Sequence, residues 1–309
     1  MIRMPGKSWS GPLPPLDEKT AELRSRLQRD VVKLAGAEIG ERNVFHAEEL
    51  AAALEHIEAE LESAGYTPRR QAYSAGTSRV FNLDVEIPGS SKPDEIVIVG
   101  GHYDSVMDCP GANDNATGVA AMLALARAFR AAKPARTLRF AAFVNEEPPF
   151  FQTHDMGSLV YAKACRERSE KIVAMLSLET MGFFSDAAHS QSYPFPFSLI
   201  YPSTGNFIAF VGNVKSRVLV RRAIGCFREH ARFPSEGGAV PGMIPGVGWS
   251  DHWSFWQEGY PAIMITDTAP FRYSHYHLGS DTPDKVDFES LARVVAGLEK
   301  VVEDLASGD

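Results

Sequence analysis

Three near-continuous apolar runs constrain this chain most. They are EIVIVGGH (95–102), TLRFAAFVNEE (137–147) and KIVAMLSLET (171–180), and each ends in residues that can hold a metal or move a proton. Runs of this kind, rich in Val, Ile, Leu and Phe, read as strands buried on both faces. Helical patterns separate them, an Ala/Leu-rich one over 115–132 and another over 155–168. Strand–helix–strand alternation predicts an α/β fold: a three-layer αβα arrangement with a mostly parallel, mixed central sheet and helices on both faces. In such sheets ligands bind beyond the carboxyl ends of the strands. His102, Glu147 and Glu179 stand at those ends.

The remaining pattern fits one catalytic domain over 1–309, opened by an extended segment of about residues 1–15 that is rich in Pro and Gly. Helical spacing recurs over 16–35, over 43–64 with Gly65 as its stop, over 215–231 and from about Phe288 to Leu305. Phe81–Ile87 alternates as a half-buried strand, and further strands are expected at Ile208–Val211 and Ala262–Thr266. Two irregular segments, 185–206 and 233–250, are rich in Pro, Gly, Ser and aromatics. Long loops of this sort are either functional rims or ordinary surface excursions.

A formal net charge of -8 disfavours a nucleic-acid partner, because phosphate binding needs a basic surface. The arginines at 217, 221, 222 and 228 read as a solvated helix face. Three widely spaced cysteines form neither a CxxC pair nor a disulfide framework, which favours a reducing compartment. Cys109 lies near two of the candidate ligands and is expected to be a neutral loop thiol. The first 20 residues contain no apolar stretch of the secretory type, and no run of about 20 apolar residues is present to span a membrane. The sequence as it stands points to the cytoplasm and leaves room for a removed export leader.

Five dispersed residues have the chemistry of metal ligands: His102 in GGHYDS, Asp114 in GANDNATG, Glu147 in VNEEPPFF, Glu179 in SLETMGFF and His277 in HYHLGSDTPD. Two imidazoles and three carboxylates suffice for two divalent cations side by side, with Asp114 offering one oxygen to each. Taken alone, each motif has an ordinary structural reading, such as an Asx turn or N-cap for Asn113–Asn115. Adjacent acids at the end of a buried run are harder to explain by packing, since buried carboxylates are costly unless paired or metal-bound. Their side chains diverge, which assigns Glu147 to metal and Glu146 to proton transfer. Asp104 is expected to orient the His102 ring, as carboxylates beside metal-bound histidines do. Asp281 and Thr282 are expected to orient His277, with His275 at the rim.

In their order, GGHYDS, GAxDxxxG, NEE and HxxxDTxD resemble the di-zinc aminopeptidase family that also contains glutamate carboxypeptidase and the glutaminyl cyclases. The resemblance covers roughly residues 40–305. It implies a zinc-exopeptidase-like fold and two Zn2+ ions held by His102, Asp114, Glu147, Glu179 and His277. Glu146 would be the general base, and the substrate a peptide or amino-acyl group. Many members carry Asp where this chain has Glu179, which leaves the mode of ligation there open. Four further residues are candidates for substrate contact. Tyr273 is placed as an oxyanion donor, Arg272 as a carboxylate anchor, and Asp251 and His252 at the rim within SDHWSFW. Two other readings stay open: a single-zinc cyclase of N-terminal glutamine, and a non-catalytic binding module on the same fold. An aminopeptidase uses the full donor set and is the expectation carried forward.

Overall fold

The three apolar runs become neighbouring strands at the centre of one sheet. The computed structural model describes residues 2–308. Its strands are β1 (Arg69–Ala75), β2 (Ser78–Ile87), β3 (Lys92–His102), β4 (Arg136–Phe143), β5 (Lys171–Glu179), β6 (Ile208–Gly212), β7 (Ser235–Ala239) and β8 (Ala262–Thr266). They lie side by side in the order β1-β2-β4-β3-β5-β8-β6-β7. The pairings β3–β4, β3–β5, β5–β8 and β6–β7 are parallel, while β1–β2, β2–β4 and β6–β8 are antiparallel. This is the expected mixed sheet with a parallel centre. Val97, Ile98 and Val99 on the middle strand β3 are wholly buried, as a strand covered on both faces requires.

The helices are α1 (Glu18–Ala35), α2 (Ala47–Ser63), α3 (Thr117–Phe129), α4 (Gly157–Glu167), α5 (Arg217–His230), α6 (His252–Gln257) and α7 (Phe288–Ala306). Side-chain carboxylates cap two of them: Asp17 accepts from Thr20 N–H before α1, and Asp287 accepts from Ser290 N–H before α7. The apolar stripes of α1, α2, α3, α5 and α7 share the core on one sheet face. A smaller cluster on the opposite face joins α4 and α6 to the sheet through Phe143, Tyr161 and Phe255. No helix among the described residues is long and apolar enough to cross a membrane.

Two strands escaped the sequence reading. β1 (RRQAYSA) is an edge strand with mostly exposed side chains, so it lacks an apolar alternation. β7 (SEGGA) is the opposite edge, inside the segment expected to be irregular, and its glycines carry no side-chain signal. Before α1 the chain runs without helix or strand past α5 and β7. The Arg228 guanidinium donates to the Pro5 carbonyl at 3.2 Å, and Ser235 N–H donates to Ser8 Oγ at 2.9 Å.

The α4–α6 layer does not extend over β6 and β7. There the sheet is roofed by parts of the two irregular segments, including Tyr193, Phe197 and Tyr201 from one and Ile244, Pro245 and Trp249 from the other. Both segments therefore border a cavity, as rims do.

Candidate metal centre

His102 ends β3, Glu179 ends β5, and the two acids Glu146 and Glu147 follow β4. The run 137–147 thus stops being a strand at Phe143, and Val144–Glu147 form a turn with Asn145 at φ 59°. Thr180, directly after Glu179, and His277 itself also have positive φ, 41° and 58°. Side chains with a Cβ rarely take this conformation, and residues held in it cluster at functional sites. Asp114 lies in a short distorted turn, Ala112–Ala116, ahead of α3, and the Asp114–Asn115 peptide is cis.

These elements bring all five expected ligands together. Asp114 divides them into two sets. Its Oδ1 lies 3.3 Å from His102 Nε2, and that nitrogen is also 3.3 Å from Glu179 Oε2. Its Oδ2 lies 3.1 Å from His277 Nε2, which is 3.3 Å from Glu147 Oε2. Glu146 stands beside the first set, with Oε2 3.8 Å from His102 Nε2. All six side chains are buried except His277, which is 30% exposed and forms the open side.

The donor set fits divalent cations. His102 Nδ1 faces the Asp104 main-chain carbonyl at 3.2 Å, which places the ring proton there and turns the Nε2 lone pair toward the carboxylates. His102 Nε2, Asp114 Oδ1 and Glu147 Oε1 are buried without a hydrogen-bond partner among the described residues. Buried polar atoms are seldom left so, and bound cations would supply partners for all three. Oxygen and imidazole donors suit zinc among other ions.

The electrostatics point the same way. Burial holds the Glu147 carboxyl up to about 7, with Asp114 adding to the rise. Burial raises Glu146 well above the carboxylate range, opposed by His102 and reinforced by Glu147, Glu179 and Asp251. Burial pulls His102 down, yet Glu146 and Glu179 outweigh it and lift the ring well above its usual value. Acids this close resist ionising together, and bound cations supply the counter-charge that lets them.

Two further carboxylates hold the ligand-bearing turns in place. Asp104 accepts the N–H groups of Glu146 and Glu147, at 3.2 and 3.1 Å. Its carboxylate is 3.6 Å from the His102 ring, so the expected ring contact is made by the Asp104 main chain instead. Asp281 accepts the N–H groups of Asn113 and Asp114, at 2.9 and 3.0 Å. Asp281 therefore positions Asp114, where the sequence reading had it orient His277. Asn115 ties the same turn to the end of β5. Its Nδ2 donates to the Leu178 carbonyl (2.8 Å) and its Oδ1 accepts from Thr180 N–H (3.1 Å). Asp104→Asn is expected to cost about 1–3 kcal/mol, since one buried N–H would face an amide NH2 in place of an acceptor. Denaturant unfolding measures that loss.

Of the four substrate-contact candidates, Asp251 and His252 are wholly buried, not at the rim. His252 Nε2 shares a 2.8 Å hydrogen bond with the Val247 carbonyl, and its ring packs on Trp256. Asp251 faces the His102 and Glu179 side, and burial raises its carboxyl to about 7. Tyr273 gives its hydroxyl proton to Asp281 at 2.7 Å, which takes it away from any oxyanion. Arg272 is engaged with Gln191 Oε1 (2.6 Å) and the Phe207 carbonyl (2.9 Å), and its guanidinium packs 4.4 Å from the Phe207 ring centre. His275 holds the loop through Ser280 Oγ at 2.8 Å. Burial pushes the Cys109 thiol up to about 12, so it stays neutral.

Three contributors were not read from the sequence. Tyr276 stacks on His277 with ring centres 3.9 Å apart, and it borders the cavity beside Glu179. Adjacency to a ligand histidine was the signal available for it. Ser250 donates to Glu179 Oε2 at 2.7 Å and thereby fixes the ligand whose reach was in doubt. Arg42 is fully buried and donates to the carbonyls of Tyr103 (2.6 Å) and Gly111 (2.9 Å), clamping the segment between His102 and Asp114. Nothing local in the sequence distinguishes Ser250 or Arg42 from other residues of their types.

A family model described as peptidase family M28 matches residues 82–302, a span that runs from β2 to α7 and includes every residue of the two donor sets. The chain belongs to peptidase family M28. The expected family is thereby borne out, and the chain stands among enzymes that hydrolyse peptide bonds. The protein YfbL of Escherichia coli (strain K12) is 38% identical over 248 residues, covering 74% of this chain and 76% of YfbL. A probable zinc metalloprotease of Pyricularia oryzae is 30% identical over 249 residues, covering 70% of this chain. The match spans only 48% of that fungal protein, about half its length. Among solved structures, the zinc aminopeptidase BSAP of Bacillus subtilis is similar with a TM-score of 0.71 at 14% identity, covering 91% of this chain and 94% of BSAP. The glutaminyl cyclase of Fimbriiglobus ruber is similar with a TM-score of 0.65 at 21% identity, covering 96% and 97%. At these identities the two structures speak for the α/β fold alone.

Proposed function

We propose that this M28 chain is a zinc-dependent aminopeptidase with a pair of zinc ions as cofactor. The observation that carries the reading is the division of donors by Asp114. His102, Glu179 and Asp114 Oδ1 would hold one cation, and His277, Glu147 and Asp114 Oδ2 the other. When bound, the cations would polarise the scissile carbonyl and make a water acidic enough to attack near neutral pH. Glu146 is the group placed to take the proton of that water and deliver it to the leaving amine. Its burial beside other acids raises its proton affinity, as suits a group that must take a proton from water. Tyr276, which stacks on His277 and borders the cavity, is the residue we assign to donate its hydroxyl to the developing oxyanion. Asp104 and Asp281 act through the main chain, holding the Glu146–Glu147 and Asp114 turns in register.

A free amino terminus suits the site better than a free carboxylate. The ionisable groups bordering the cavity are acids and tyrosines, and Arg272 is occupied by Gln191 and Phe207. The test compares amino-acyl anilides with their N-acetylated forms, with and without chelator, alongside zinc counted per chain. Hydrolysis of the free-amine series with two zincs, lost on chelation, is the expected result. One zinc per chain with ammonia release from glutaminyl peptides would replace this reading with the cyclase. Cleavage of acetylated and free substrates alike would remove the aminopeptidase assignment.

A further inference from the structure

The floor of the cavity is a single row of side chains across the sheet. Glu179 on β5 pairs with Thr266 on β8, Thr266 with Ala209 on β6, and Ala209 with Glu236 on the edge strand β7. Directly paired residues project to the same face, and all four border the cavity. Three strand spacings separate the ends of the row, so the Glu179 and Glu236 backbones are roughly 14 Å apart. One end of the row is therefore at the ligand cluster and the other is the Glu236 carboxylate. Between them the walls are apolar, formed by residues such as Phe207, Val211, Met264 and Phe271.

The Glu236 side chain is 26% exposed, and among the described residues it accepts no hydrogen bond. Arg228 approaches it to 3.7 Å, beyond hydrogen-bond length, because that guanidinium is directed to Ser235 Oγ (3.1 Å), the Ser235 carbonyl (2.6 Å) and the Pro5 carbonyl (3.2 Å). Ion-paired with Arg228 on one side, the carboxylate thus keeps unfilled hydrogen-bond acceptors at the end of an apolar passage. Such a carboxylate calls for a cation carried on an aliphatic stem. A stretch of peptide backbone would not suit the passage, since its N–H and C=O groups would be buried against apolar walls without partners.

We propose that Glu236 is a specificity-determining residue that receives the cationic tip of a long side chain, so that the site selects an amino-terminal residue of the lysine type. This rests on the aminopeptidase reading. The test uses the lysine and norleucine 4-nitroanilides, which share a straight stem and differ by the ammonium group. The zinc-loaded enzyme is expected to show the higher kcat/KM for lysine. In Glu236→Gln, the lysine-to-norleucine ratio should fall on the order of tenfold, the scale of one charge-assisted hydrogen bond. Equal ratios in the two proteins, or no lysine preference in the unmodified enzyme, would overturn the proposal, and a thermal melt of the variant guards against misfolding. If neither anilide is cleaved, the aminopeptidase reading fails and binding decides the subsite. Calorimetric titration of free lysine and norleucine would then support it by tighter lysine binding that Glu236→Gln removes. Equal binding of the two amino acids would overturn it.

Discussion

Glu146→Gln is expected to keep its zinc and its thermal midpoint while losing hydrolysis by about 10²–10⁴-fold, the usual contribution of a positioned general base. The substitution keeps the shape of the side chain and removes only its capacity to hold a proton. Glu146 lies 3.8 Å from His102 Nε2, next to the first donor set, while Glu147 makes the close contact to His277 in the second. The backbone of both acids is held by Asp104, so exchanging one carboxylate for an amide leaves the turn anchored. The loss should appear in kcat, with KM little changed, because substrate binding does not need the proton. Zinc analysis and turnover of an amino-acyl anilide on the same sample decide the matter. Full turnover in Glu146→Gln would sink the assignment. Loss of zinc together with turnover would instead make Glu146 a ligand.

Asp114→Asn is expected to produce the second large effect, and its size depends on zinc. Asp114 is the one residue that serves both donor sets. An amide in its place offers oxygen to one set and a pair of N–H donors to the other, so zinc should fall from two ions per chain to at most one, with activity lost. For the unmodified protein, zinc at a hundredfold excess over its Kd contributes about 2.7 kcal/mol per site. For a chain of this size that is roughly 5 °C of thermal midpoint per site. Without zinc the gap should narrow but keep its sign. Asp114 is then the shared partner of His102 and His277. Burial pushes its carboxyl up, yet the two rings outweigh burial and hold it below its usual value, so the chelated variant should be no more stable than the chelated parent. A melting series with and without zinc reads the difference. If zinc stabilises the variant as much as the parent, Asp114 does not bridge the two sets.

Much of the site was legible before any coordinates because its signals are local. Apolar runs ending in His102 and Glu179 mark strands whose ends carry chemistry, and an acid pair after a third run is hard to explain by packing. The edge strands β1 and β7 were not legible, since an exposed or glycine-rich strand has no apolar period to betray it. The main-chain contacts of Asp104 and Asp281 were missed for a related reason. Each stands two or four residues from a ligand histidine, and sequence proximity suggested that it served that histidine. Folding gave each carboxylate two main-chain N–H groups from a turn distant in sequence. Tyr273 and Tyr276 differ by three positions and are equivalent on paper, yet one is tied to Asp281 and the other stacks on His277 at the cavity.

The sequence by itself determined the donor inventory, the αβα layering and the placement of ligands at strand ends, because residue type and periodicity are properties of neighbours along the chain. Only the tertiary structure decided how the donors divide around Asp114, that Asp251 and His252 are buried, and that Glu236 closes the far end of its cavity. Those outcomes depend on which strands become neighbours. The antiparallel β8–β6 pairing and the parallel addition of β7 set one row of side chains from Glu179 to Glu236. Contacts between segments dozens of residues apart establish that row, and no local pattern encodes them.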